Sequence, residues 1–106
     1  MSLTPESRTF DVGGGLLVAA ECRGAEEGPP VLLVHGGGQT RHSWGGTADV
    51  LAESGWYTVA YDQRGHGDSG RPVDRDYRSQ RFAEDLISIS DQVTRMAGSR
   101  PAVVGA

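Results

Sequence analysis

The sequence predicts an α/β fold, with a mostly parallel sheet, an N-terminal antiparallel hairpin and flanking helices. Two observations predict this class. Short apolar runs, such as residues 31–34, show no polar alternation, which is typical of strands buried on both faces of a parallel sheet. These runs alternate with segments of helical periodicity, and a strand–helix–strand order needs crossover connections that leave the strands parallel.

The N-terminal hairpin is predicted from two strand-like segments around a glycine turn. Residues 9–12 and 16–22 have strand character, and residues 13–15 are all glycine, which suits a tight turn because glycine tolerates positive φ. Residues 23–30 are polar and bounded by glycine and proline, so we expect a loop before the strand at 31–34. Residues 1–3 receive no structural assignment.

Two helices are predicted between the later strands. The first begins near Ser43 and ends at Gly55, and its apolar face consists of Trp44, Ala48, Leu51 and Ala52. The second can be capped by Ser79 and ends at Gly98, and its apolar stripe consists of Phe82, Leu86, Ile89, Val93 and Met96. A short strand at 58–61 lies between them, and residues 102–106 predict a further buried strand.

Charge and composition restrict the classes of partner. The net charge is −4, and the ten basic residues are scattered or lie beside acids, whereas nucleic acids and anionic membranes need a clustered basic face. No apolar stretch approaches the roughly 20 residues of a membrane span, and no apolar leader precedes the first strand. The single cysteine, Cys22, excludes an internal disulfide and is predicted to be a small apolar strand residue. We expect a cytoplasmic protein.

Residues 35–38, with the sequence HGGG, directly follow the strand at 31–34. Ligands of open α/β sheets bind beyond the carboxyl ends of the strands. Glycines there leave backbone N–H groups open to a ligand, which suits stabilisation of the negative oxygen of a tetrahedral intermediate. The alternative is a flexible turn between strand and helix. A phosphate cradle is disfavoured because neither a Gly-Lys-Ser/Thr nor a GxGxxG motif opens the following helix.

A second charged and glycine-rich segment, DQRGHGDSG at residues 62–70, follows the strand at 58–61. Asp62, Arg64 and His66 are residue types that often serve in catalysis. Charged side chains in glycine-rich loops, however, commonly hydrogen-bond to nearby backbone and hold the shape of the loop. We therefore predict structural roles here. Ser69 has no general base nearby in the sequence and is not predicted to be a nucleophile.

Three segments in this order, LLVHGGG at 32–38, DQRGHGDS at 62–69 and VVGA at 103–106, together resemble the α/β-hydrolase superfamily. The closest-looking branch is that of small esterases, lactonases and cofactor-free haloperoxidase-like enzymes. The resemblance implies that Gly37, with Gly38 next, supplies an oxyanion-hole N–H. It also implies that His35 braces the loop without transferring protons, and that Gln39 and Trp44 lie near the wall of the substrate pocket.

The superfamily's nucleophile lies on a sharp strand-to-helix turn of the form G-x-S-x-G. Gly105 and Ala106 match its first two positions, so the resemblance implies a serine directly after Ala106, with the acid and the catalytic histidine later in the chain. His35, His42 and His66 precede this turn and are not predicted to be the catalytic base.

The resemblance implies hydrolysis of an ester or related acyl bond in a small molecule, without a metal or organic cofactor. An aspartate nucleophile, as in epoxide hydrolases and haloalkane dehalogenases, is one alternative. Those enzymes usually resemble His-Gly-x-Pro in the loop and carry histidine before the nucleophile, where this chain has Gly38 and Ala106. Carbon–carbon bond hydrolysis and a non-catalytic α/β scaffold module are further alternatives.

We expect residues 1–106 to form the N-terminal portion of a single α/β-hydrolase domain. The last predicted strand is apolar, and later strands and helices would be needed to cover it. We therefore expect the remainder of the domain to be required for folding.

Overall fold

Five strands form one mixed sheet in the computed structural model, which describes residues 4–106. Residues 1–3, to which the sequence assigned no structure, lie outside the described residues. The strands are β1 (Glu6–Asp11), β2 (Leu17–Arg23), β3 (Pro30–Val34), β4 (Tyr57–Tyr61) and β5 (Ala102–Gly105). A 3₁₀ helix (Arg41–Trp44) runs into α1 (Gly45–Glu53), and α2 (Ser79–Ala97) connects β4 to β5.

The strand order is β1-β2-β4-β3-β5. β1 and β2 form the predicted antiparallel hairpin, and β3 pairs in parallel with β4 on one side and β5 on the other. β2 joins the two parts by pairing antiparallel with β4. The mixed sheet with its N-terminal hairpin is therefore confirmed. Because β3, β4 and β5 run in parallel, their carboxyl ends meet at the same edge of the sheet.

The two helices cover opposite faces of the sheet. Ile89 and Val93 of α2 pack in a cluster with strand residues such as Leu32, whereas Ala48 of α1 packs in a second cluster with Leu33. Neighbouring residues of a strand point to opposite faces, so Leu32 and Leu33 contribute to different clusters. The apolar stripes predicted for both helices are thus confirmed at these positions. Neither helix of residues 4–106 is long and apolar enough to cross a bilayer.

The predicted cap of α2 is wrong. Ser79 is the first helical residue, and the N-cap is Arg78, whose backbone is extended and whose side chain makes no capping hydrogen bond. The carbonyl of Arg78 instead accepts from the backbone N–H of Arg81 and of Phe82. The Ser79 hydroxyl is one position too late to reach the free N–H groups that a cap satisfies.

The predicted burial of the last strand is also wrong for this structure. All four residues of β5 are exposed, and Val103 and Val104 retain 50% and 43% of their accessible surface. Within the described residues β5 pairs with β3 alone and forms the edge of the sheet. An apolar composition indicates that a strand is suited to burial, but whether its residues are buried depends on which elements cover the strand.

Candidate active site

His35 follows β3 directly and is almost fully buried. Its Nε2 accepts a hydrogen bond from the Gln63 backbone N–H at 3.0 Å. Nδ1 therefore carries the proton and donates to the Gly36 carbonyl at 2.8 Å. The Gln63 side-chain amide donates to the His35 carbonyl at 2.9 Å. Both ring nitrogens are thus engaged with backbone groups, which is the arrangement expected of a histidine that braces a loop.

The glycine loop turns back on itself at Gln39. The Gln39 backbone N–H donates to the Gly36 carbonyl at 3.1 Å, and its side-chain Oε1 accepts from the Gly36 N–H at 2.9 Å. The turn passes through Gly38, whose φ of +75° suits glycine. The N–H groups of Gly37 and Gly38 meet no acceptor within the part of the chain that the structure describes. These two groups are available for an incoming anion.

The carboxyl end of β5 lies beside this loop. Gly105 pairs with Val34, and the Ala106 N–H donates to the Val34 carbonyl at 3.0 Å. The Ala106 Cβ lies 3.8 Å from the point that a Cβ on Gly36 would occupy. The structure therefore brings together the HGGG segment and the predicted elbow residues, which lie far apart in the sequence.

Trp44, which was predicted to lie near the pocket wall, packs against a core cluster that includes Val31 and Leu33 beneath α1. Its indole Nε1 is buried without a hydrogen-bond partner among the described residues. Gln39, the other residue predicted there, turns its side chain back onto Gly36. A pocket-wall role for either residue stays a prediction.

Asp62, at the end of β4, has no accessible surface and accepts hydrogen bonds from two separate loops. Its Oδ1 accepts from the Arg41 backbone N–H at 2.6 Å, and its Oδ2 accepts from the Asp68 backbone N–H at 2.9 Å and from the Arg41 guanidinium. Burial alone raises the pKa of this carboxyl. The N–H donors and the Arg41 guanidinium lower the pKa by more than burial raises it, so the net shift is downward. The carboxylate is therefore held in its charged form.

The shifted pKa of Asp62 predicts loss of stability in acid. Its folded pKa lies below the ordinary value of 3.8, so the unfolded chain binds the proton more tightly than the folded one. The stabilisation is present above the unfolded pKa and is lost as the pH falls through the folded pKa. We expect Asp62→Asn to be less stable at neutral pH and to lose less stability than the wild type as the pH falls below about 4. Urea unfolding at each pH measures this, and parallel pH profiles would contradict it.

The remaining polar residues of the 62–70 segment hold the loop. The buried Ser69 hydroxyl donates to the Asp62 carbonyl at 2.5 Å and accepts from the Ala19 N–H at 2.9 Å, so it is committed to backbone groups. His66 Nδ1 lies 3.0 Å from the Arg64 carbonyl, and its ring lies 5.0 Å from the His35 ring between centroids. These contacts join the segment to backbone groups, and its structural role stays a prediction.

Gly67 closes this loop against the Asp62 carboxylate. Its φ is +50°, and a Cβ at this position would collide with the carboxylate. Gly14, in the β1–β2 turn, has a similar φ of +62°, but a Cβ there would have nothing within 4 Å.

We expect Gly67→Ala to destabilise the protein by clearly more than Gly14→Ala. The Gly14 variant carries only the left-handed backbone strain, about 1–2 kcal/mol. The Gly67 variant adds the steric conflict, about 1–3 kcal/mol more. Thermal unfolding of the two variants side by side measures the difference. Equal losses of stability would show that the Asp62 carboxylate can move away from the added methyl group without cost.

Arg64 and Asp85 form a buried pair that the sequence analysis missed. The Arg64 Nε and Nη2 atoms donate to the two carboxylate oxygens of Asp85 at 2.7 and 2.8 Å, and Nη1 donates to the Asp76 carbonyl at 2.9 Å. The pair attaches the 62–70 segment to α2. One signal was present in the sequence, because Asp85 lies four residues before Ile89 on the apolar stripe of α2. A carboxylate on a buried face needs a cationic partner.

Comparison with known proteins identifies the family to which this chain is similar. The family model described as alpha/beta hydrolase fold matches residues 29–105. Epoxide hydrolase A of Mycobacterium tuberculosis is 36% identical over 90 residues, which cover 84% of this chain and 28% of the relative. The chain thus spans less than a third of that relative's length.

Solved structures give the same architecture. Epoxide hydrolase A from Mycobacterium thermoresistibile is similar with a TM-score of 0.82 and 29% identity, and the match covers 96% of this chain and 31% of that one. The thioesterase domain from the curacin biosynthetic pathway is similar with a TM-score of 0.80 and 28% identity, over 96% of this chain and 37% of that one.

Proposed function

The chain belongs to the α/β-hydrolase family, and from this premise we propose that it forms the N-terminal, oxyanion-binding part of a hydrolase that acts on an ester or related acyl bond. The observation that carries the proposal is the pair of N–H groups at Gly37 and Gly38, which have no acceptor among the described residues and lie next to Gly36 beside the end of β5. Backbone donors without an acceptor suit an oxygen that becomes negative during a reaction.

In the proposed mechanism, a serine that follows Ala106 attacks the carbonyl carbon of the substrate and loses its proton to a histidine later in the chain. The carbonyl electron pair moves to oxygen, and the Gly37 N–H and the N–H after the nucleophile stabilise the resulting oxyanion. When the intermediate collapses, the alcohol leaves with the proton from histidine, and an acyl-serine remains. Water then attacks through the same base, which releases the acid and restores the serine.

Two supporting roles belong to residues that do not touch the substrate. We propose that His35 and Asp62 shape the loops around the oxyanion site, because each joins two segments through hydrogen bonds to backbone groups. A cytoplasmic location also forms part of the proposal, since the lone Cys22 is buried within β2 as a free thiol.

Epoxide hydrolysis is the second candidate, because both a sequence relative and a similar solved structure are named epoxide hydrolases. Its nucleophile would be an aspartate after Ala106, which would open the epoxide and form an alkyl ester that water hydrolyses. Against this candidate, Gly38 replaces the proline that such enzymes usually carry in the loop, and Ala106 replaces the histidine before their nucleophile.

Assays of the whole enzyme separate these candidates. Turnover of p-nitrophenyl butyrate, together with labelling by a fluorophosphonate probe seen as a mass increase, supports the serine hydrolase. Turnover of styrene oxide without phosphonate labelling would instead assign the site to epoxide hydrolysis. A protein that neither turns over these substrates nor takes the label would be a non-catalytic α/β module.

A further inference from the structure

We propose that Arg41 is a positioning residue for the glycine loop at residues 35–38. In this role, Arg41 holds the N–H groups of Gly37 and Gly38 in their reactive orientation. This inference rests on the proposed function. Arg41 begins the 3₁₀ helix and lies outside all three segments on which the family resemblance depends.

Arg41 attaches the far end of the loop to the end of β4. Its backbone N–H and its guanidinium Nη1 both donate to the Asp62 carboxylate, and its Nη2 donates to Asp68 at 3.1 Å. The Arg41 side chain retains only 11% of its accessible surface. One residue thus makes three contacts with two carboxylates, which themselves lie on the neighbouring loop.

The glycine loop has little packing of its own that could hold it. A Cβ added at Gly37 or Gly38 would meet nothing within 4 Å among the described residues, so there is open space beside these two positions. Glycine also has the largest conformational freedom of all residues. The orientation of the two N–H groups therefore depends on how firmly the loop is attached at its ends. His35 and Gln39 hold the segment next to β3, and Arg41 holds the other end.

Arg41 is itself held by a chain of charges. Its Nε lies 3.6 Å from Oε1 of Glu21 on β2. The other carboxylate oxygen of Glu21 lies 3.5 Å from Nη2 of Arg23. Nε of Arg23 in turn lies 2.9 Å from Oδ1 of Asp49 on α1. The Arg41 side chain is therefore confined between β2 and the end of β4. A planar guanidinium can contact several carboxylates in fixed directions, whereas a lysine ammonium acts as a point charge. The site favours arginine for this reason.

Arg41→Ala in the whole enzyme is the test. The variant retains the backbone N–H that donates to Asp62, so part of the attachment remains. We expect kcat for p-nitrophenyl butyrate to fall roughly tenfold to a hundredfold because the N–H groups lose their alignment. KM should stay within about threefold, since the lost interaction acts in the transition state. The affinity for an aryl trifluoromethyl ketone, which forms an oxyanion on the serine, should fall by the same factor as kcat.

Two further variants complete the design. Arg41→Lys should lose less kcat than Arg41→Ala but should not regain the wild-type value, and it decides the question if the alanine variant does not fold. Arg78→Ala removes an exposed arginine paired with Asp76 and should leave kcat and ketone affinity unchanged.

A folded Arg41→Ala enzyme with wild-type kcat and ketone affinity would overturn the positioning role. A rise in KM without a fall in kcat in Arg41→Ala would also overturn it. If the alanine variant does not fold, wild-type activity of Arg41→Lys would overturn it as well. A wild-type enzyme that neither turns over the ester nor binds the ketone would overturn the proposed function itself, and this result is read before any variant is made.

Discussion

Gly37→Pro is expected to lower kcat for an ester substrate by about a hundredfold or more, because it removes a backbone donor from the proposed oxyanion site. Proline has no N–H, and a Cβ at position 37 would meet nothing within 4 Å among the described residues. KM should change little, since the donor acts on charge that develops only in the transition state. Steady-state kinetics of the whole enzyme provide the measurement.

Gly37→Ala is the matched control for this experiment. Alanine retains the N–H and adds a methyl group that meets nothing within 4 Å among the described residues. The alanine variant should therefore retain most of the wild-type kcat, and the unfolding temperature of each variant shows whether its fold is intact. If proline and alanine gave equal kcat values, Gly37 would not be an oxyanion donor.

Asp85→Ala is expected to destabilise the protein by about 3–5 kcal/mol, because it leaves the Arg64 guanidinium buried without its carboxylate. Both side chains are almost fully buried, and the pair is bidentate. The loss should appear as a lower urea midpoint for the whole enzyme.

Glu84→Ala provides the comparison, since Glu84 is adjacent in the sequence but forms an exposed ion pair with Arg81. Exposed pairs contribute about 0–1 kcal/mol, so this variant should be nearly as stable as the wild type. The double variant Arg64→Met, Asp85→Leu should regain much of the loss, because no unpaired charge remains. Equal effects of Asp85→Ala and Glu84→Ala would contradict a buried pair that stabilises the fold.

The parts of the fold that the sequence predicts are those set by local physics. The spacing of Ile89 and Val93 identifies the buried face of α2, because helical periodicity places these residues on one side. The unbroken apolar run at 31–34 identifies β3 as a central strand. The exposure of Val103 and the position of β5 beside β3 were beyond such reasoning, because each depends on which distant elements are adjacent.

The candidate site divides in the same way. The loop after β3 was found because strand ends and glycines are visible in the sequence. The pairing of Arg41 with Asp62 was not, since nothing local relates residues so far apart. Gln39 illustrates a further limit, because its residue type fits both a pocket wall and the backbone hydrogen bond that the structure shows.

The position of β5 has a consequence for the order of folding. β3 and β4 are joined through α1, whereas the pairing of Leu32 with Val103 must close a loop that contains α1, β4 and α2. Closing a longer loop carries a larger entropy loss, and contacts between distant residues form late in folding. We expect the β3–β4 unit, which carries His35 and Asp62, to assemble first. Among the described residues, the position beside Ala106 would then be the last part of the candidate site to become ordered, after the glycine loop that follows β3.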